Sequence, residues 1–144
     1  MKPSSIKLFD VLFPVATLLV MVSAALSFSG LEEHAMAGYE GGGEGARGMA
    51  IWMITASIFI LLLLAGILWT TISLLRMGVM RYVLVLVVLY ALFHNYRELT
   101  VVGPSAGAWV DLAASLVAGA AAAMLFRPDA RAWFAENPDD RAAP

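Results

Sequence analysis

Cysteine is absent from the 144 residues, which excludes disulfides, thiolate catalysis and Cys-ligated zinc or iron–sulfur centres. Charge is scarce too. Only 14% of residues are Asp, Glu, Lys or Arg, and the net charge of −2 contains no run of like sign long enough for a nucleic-acid tail, so nucleic acid is not an expected partner. Histidine occurs only at His34 and His94. Zinc needs three or four placed ligands, and His34 lies outside any apolar run, so neither a metal site nor bis-histidine haem is expected and no cofactor is assigned. No serine or threonine has a recognisable base beside it, and no catalytic residue is assigned. What is abundant is apolar surface: 61% of the chain, beyond the usual range for a soluble globular domain.

The apolar residues fall into four runs, each long enough to cross the roughly 30 Å hydrocarbon core of a bilayer. The expected spans are residues 8–28, 49–75, 79–98 and 105–126, in one transmembrane domain over residues 1–134. Before the first run, Pro3-Ser4-Ser5 reads as a helix cap. The Ala35-Met36-Ala37 triplet has the form of a signal-peptide cleavage site. Against cleavage, the first run is about 20 residues long and Glu32-Glu33-His34 separates it from the triplet, so a retained span is expected. Residues 29–48 turn to Gly and Glu, and a flexible acidic loop is expected there. No Lys-Ser or Lys-Thr follows the glycines, which removes a phosphate-binding loop.

Orientation follows from the basic residues flanking the runs. Lys2, Lys7, Arg76, Arg81, Arg127, Arg131 and Arg141 fall on one side, and only Arg47 and Arg97 on the other. Positive residues mark the cytoplasmic side, so the expectation is an all-α membrane protein, four transmembrane helices in an up-down bundle with both termini cytoplasmic.

Lipid gives no hydrophobic drive for helices to associate, so small residues indicate where they approach. The fourth run has Gly107, Asp111, Ser115, Gly119 and Ala123 at four-residue spacing, and Gly66 with Thr55, Thr70 and Ser73 on the second run is the expected complement. Asp111 is the one acid in the fourth run and lies roughly 10 Å below the surface at 1.5 Å per residue. A bare carboxylate there costs a few kcal/mol, so a partner is expected. The third run ends in His94-Asn95-Tyr96-Arg97-Glu98, and an Arg97–Asp111 ion pair with His94 alongside would clasp the two helices. The same His94, Arg97, Glu98 and Asp111 set also suits a proton relay or ligand site. Asp10 is expected to cap the first helix or to pair with Arg76 or Arg81. After the fourth run, residues 128–134 are expected as a short helix on the membrane surface, with Arg127 and Arg131 on lipid phosphates and Trp133 and Phe134 in the headgroup boundary. Residues 135–144 read as a disordered tail.

Lys2-Pro3-x-Ser5-Ile6 before the first run, the Trp69-bearing end of the second, and Phe126-Arg127-Pro128-Asp129-Ala130-Arg131-Ala132-Trp133-Phe134 after the fourth resemble a group of small four-span inner-membrane proteins of Gram-negative bacteria. That group has no established activity, so the resemblance implies a multi-pass inner-membrane location and carries over no site residue. The functional expectation is a structural or accessory subunit that packs with itself or within a larger membrane complex, its other contacts being lipid. A small proton-coupled transporter or channel-like protein using Asp111 and His94 is the alternative, and a membrane enzyme stands third.

Overall fold

A computed structural model of the chain describes residues 2–37 and 44–135. Six α-helices and one π turn account for most of them, with no strand among the described residues. We name the helices α1 (Ser4–Leu26), α2 (Phe28–Met36), α3 (Glu44–Ser73), α4 (Met80–Arg97), α5 (Ala106–Met124) and α6 (Pro128–Ala135); the π turn, Glu98–Val102, extends α4. Four helical stretches, Ser4–Leu26, Gly45–Ser73, Met80–Val101 and Ala106–Met124, are long and apolar enough to cross a membrane, which fits an integral, multi-pass membrane protein.

The tightest pair is α1 with α5. Along α5 the buried residues are Gly107, Ala108, Ala114, Ser115, Ala121 and Ala122, a pattern that repeats every seven positions. A seven-residue repeat keeps one seam of small side chains facing a slowly coiling neighbour, whereas a strict four-residue row drifts around the helix. The expected row therefore divides. Gly107 and Ser115 are buried, Asp111 and Gly119 are partly buried, and Ala123 is exposed. Opposite the seam, α1 presents Ile6, Phe9, Phe13 and Ala16. Phe9 and Phe13 stack with centroids 5.3 Å apart in one cluster with Leu84, Ala121, Ala122 and Leu125. Pro14 sits inside α1 on an exposed position, where its missing N–H opens towards the surroundings.

Helix α3 packs differently. Only 6% of its most apolar 18-residue window is buried, against 33% for α5. Its buried contacts lie towards its two ends, at Ala50 and Ile54 and again at Ile72 and Ser73. Gly66, expected at a helix crossing, has nothing within 4 Å of where a Cβ would stand. Thr55 is also exposed and bonds its own Ile51 carbonyl.

The acidic loop expected over residues 29–48 is shorter than that. Ser27 ends α1, and the chain resumes at once as α2, whose Glu32 meets Arg47 of α3 at 2.6 Å. Leu31, Glu32, Glu33, Ala35 and Met36 are all serviceable helix formers, and the ion pair ties their helix to the next. The densest glycines, Gly41 to Gly43, lie outside the described residues, as does the tail from Glu136.

Both ends of the described chain meet at one end of the bundle, here called the terminal end. There Lys2 Nζ sits 2.9 Å from Asp10 Oδ2 and donates to Ser73 Oγ at 2.7 Å, while Ser73 Oγ donates to Asp10 Oδ1. Asp10 therefore joins α1 to α3 through Lys2 and Ser73, and not through Arg76 or Arg81. Helix α6 folds against the same end. Pro3 gives α1 no side-chain cap, and Asp129 supplies it from a distance: Ser5 N donates to its Oδ2 at 3.2 Å and Ser4 Oγ at 3.3 Å. Desolvation acts to raise the Asp129 pKa, but the hydrogen bonds from Ser5 N and Ser4 Oγ, with the Ala130 amide, outweigh it and hold the carboxyl below its ordinary value.

Candidate functional site

The residues singled out at the end of α4 do not stay together. One helical step rotates successive side chains by about 100°, so His94, Asn95 and Tyr96 point in three directions. Asn95 takes the buried one and is wholly covered, while His94, Tyr96 and Arg97 are exposed. His94 stacks on Tyr90, one turn earlier, with centroids 6.4 Å apart. Glu98 opens the π turn and is partly buried. Its carbonyl accepts from Gly103 N at 3.1 Å, and Gly103, at φ 109°, makes the reversal that a side chain would hinder. Pro104 and Ser105 follow, and Ser105 Oγ caps α5 by accepting from Ala108 N at 3.1 Å.

The junction between α4 and α5 is centred on Asn95. Its Nδ2 donates to Ser115 Oγ at 2.8 Å and lies 3.4 Å from the carbonyl oxygen of Asp111. Asp111 itself is half-buried, and its backbone is what the Asn95 amide meets. The ion pairs among the described residues are Lys2–Asp10 and Glu32–Arg47, so the expected Arg97–Asp111 pair is replaced by an amide-centred contact. The reason is register. Leu84 and Val88 bury the face of α4 that Asn95 continues one heptad later, and Arg97 falls off that face. Sequence reasoning named the cluster but weighted its charged members; the heptad Val88 to Asn95 is the signal that would have picked the amide.

On the other side of α5, Ser23 Oγ donates to Gly107 O at 2.9 Å. A Cβ at Gly107 would stand 1.9 Å from Ser27 Oγ, so glycine is what allows α1 and α5 to meet at this level. Gly119 is less tightly placed, with Val88 Cγ1 3.6 Å from a would-be Cβ.

At the terminal end, the expected surface anchors divide as well. Arg127 and Arg131 are exposed, whereas Trp133 is buried and Phe134 is partly buried. Trp133 carries Arg76 over its ring at 4.6 Å and Phe134 edge-on at 5.3 Å. Arg81 lies over the rings of Tyr82, Phe126 and Phe134 at 4.9, 5.3 and 5.7 Å. Each such contact contributes about 0.5–2 kcal/mol, more where water is excluded. Arg76 adopts φ 53°, a left-handed conformation that costs a non-glycine residue about 1 kcal/mol and that delivers its guanidinium to Trp133. The aromatic side of α6 is thus turned towards the bundle.

No group of three or more His, Cys, Asp or Glu residues able to hold a metal occurs among the described residues. No family model, curated protein or solved structure matches the chain. The chemistry available at the Asn95 junction is hydrogen bonding and proton exchange at one carboxyl, flanked by one imidazole.

Proposed function

We propose that this protein is a structural or accessory subunit of the bacterial inner membrane, which associates through α3 with a second copy or with a larger membrane complex. The observation that carries the reading is the contrast between α3 and the rest. A 30-residue helix is held mainly near its ends, and Gly66 lies open in its middle. Small residues let helix backbones approach, and among the described residues nothing uses Gly66 for that purpose. The terminal end collects Lys2, Lys7, Arg76, Arg81, Arg127 and Arg131, which supports placing it in the cytoplasm.

The absence of cysteine makes the test direct. A Gly66→Cys variant in native membranes is expected to form a disulfide with a second copy or, carrying a photo-crosslinker, to capture another membrane protein; Gly119→Cys, on the packed helix, is the control. A chain that stays monomeric and uncrosslinked at Gly66 removes the proposal. The alternative, a proton-coupled transporter built on Asp111 and His94, predicts a liposome flux that disappears in a folded Asp111→Asn variant.

A further inference from the structure

The junction between α4 and α5 leaves one polar atom without a donor. Asn95 is fully buried, its Nδ2 is engaged with Ser115 Oγ at 2.8 Å, and its Oδ1 has no hydrogen-bond partner among the described residues. An orphaned buried amide oxygen costs about 1–3 kcal/mol, and lipid offers no water to relieve it. The missing donor has a candidate within reach. The Asp111 backbone carbonyl lies 3.4 Å from Asn95 Nδ2, which places this half-buried residue against the amide. A carboxylate cannot donate; a carboxylic acid can.

We propose that Asp111, Asn95 and Ser115 form a proton-binding site in which the protonated Asp111 carboxyl donates its hydrogen to Asn95 Oδ1. The balance is simple: one proton arrives from the aqueous phase at the end of the bundle opposite the termini, one O–H bond forms on Asp111, and no other covalent bond changes. With Asp111 ionised, the amide offers it only Nδ2, and Oδ1 stays unpaired. With Asp111 neutral, Oδ1 is satisfied while Nδ2 keeps Ser115, so proton uptake completes the hydrogen bonding between α4 and α5. The other groups around the site are few. On α4, His94 and Tyr96 flank Asn95 and are exposed, and Arg97 and Glu98 lie at the helix end. On α1, the residues facing this level of α5 are Ser23 and Ser27, which do not titrate in this range. Glu32, on α2, is engaged by Arg47. The site is independent of whether α3 binds a partner.

Infrared difference spectroscopy of the full chain in lipid, between acidic and alkaline pH, reads the carboxylic acid C=O stretch directly. The expected result is a pH-dependent band that vanishes in Asp111→Asn and moves to higher frequency in Asn95→Leu, where its hydrogen bond is lost. Where Asp111→Asn does not fold, Asp111→Glu keeps the carboxyl and must displace the same band. A spectrum untouched by the Asp111 variants overturns the proton site, and a band that stays in place in Asn95→Leu overturns the pairing with Asn95.

Discussion

Placing a methyl group at Gly107 is the sharpest probe of how α1 and α5 are held together. A Cβ there falls 1.9 Å from Ser27 Oγ, 3.3 Å from Ser27 Cβ and 3.4 Å from the Ser23 carbonyl. The first conflict can be relieved by turning the Ser27 hydroxyl, at a cost of about 0.5–1.5 kcal/mol if it leaves its rotamer well. The approach to Ser27 Cβ cannot, because that atom is fixed to the backbone, whereas 3.4 Å from the Ser23 carbonyl is close to an ordinary contact. Relieving it requires the helices to move apart by a few tenths of an ångström, which also stretches the 2.9 Å bond from Ser23 Oγ to Gly107 O. Gly107→Ala should therefore destabilise the fold by about 1–3 kcal/mol, the usual cost of overpacking. Gly107→Leu should cost more and should disrupt the pair outright. Ser27→Gly removes both the Oγ and the Cβ, so the Gly107→Ala/Ser27→Gly double variant should recover most of the loss. Reversible unfolding in mild detergent, followed by circular dichroism, measures these differences, with Gly66→Ala as a control that meets no atom within 4 Å. Wild-type stability in both Gly107→Ala and Gly107→Leu would refute the close approach.

Three further outcomes follow from the terminal end. Asp129 has a folded pKa below its ordinary value, so its stabilising contribution is complete above the ordinary carboxylate range and fades as pH falls through the folded value; the protection of the Ser5 amide, its exchange rate relative to the intrinsic rate at the same pH, should fall in acid, and Asp129→Ala should show the reduced protection at neutral pH already. Trp133→Ala removes a buried indole and the seat of Arg76, and a loss of about 3–5 kcal/mol is expected in the same unfolding assay. In a variant whose other tryptophans are replaced, brominated lipids should quench Trp133 weakly, whereas a ring lying in the headgroup boundary would be quenched strongly. In a double-mutant cycle, Asp10→Asn and Ser73→Ala should be non-additive by about 0.5–3 kcal/mol, because Lys2 and the two residues form one network.

The four apolar helices were legible because the requirement that lipid imposes, about 20 apolar residues per crossing, is written in composition alone. Side-chain direction was not. A helix apolar on every side has almost no amphipathic signal, so choosing Asn95 over Arg97 as the inward residue of α4 required knowing where Leu84 and Val88 pack. The four-residue row on α5 found Gly107 and Ser115 but lost the seven-residue seam, since Ala at nearly every position makes several periodicities look alike. Gly66 was misplaced for a related reason: a small residue marks a possible crossing and does not say with what. Trp133 and Asp129 were read from their own segment alone, whereas their partners, Arg76 and Ser5, lie far away in the sequence.

The two ends of the bundle are therefore held by different means, and this bears on where the molecule can respond to its surroundings. At the terminal end, α6 reaches α1 through a distant helix cap and the α3–α4 turn and the start of α4 through two arginines on its aromatic rings, while a Lys–Asp–Ser network joins α1 to α3. These ties are numerous and mutually supporting, so loss of one leaves the others in place. At the opposite end, α4 and α5 meet through a single amide, joined to one hydroxyl and one carbonyl and left with one vacant acceptor. A change of one proton is small beside the first set of contacts and comparable with the second, since one added buried hydrogen bond contributes about 0.5–1.5 kcal/mol. If the molecule senses acidity, the separation between α4 and α5 near Asn95 should change while α6 remains docked. Spin labels at Tyr96 and Trp109, both exposed, would follow the first, and a pair at Lys7 and Arg131 the second. Equal motion at both ends would mean that the bundle moves as one body and that the Asn95 junction has no separate response.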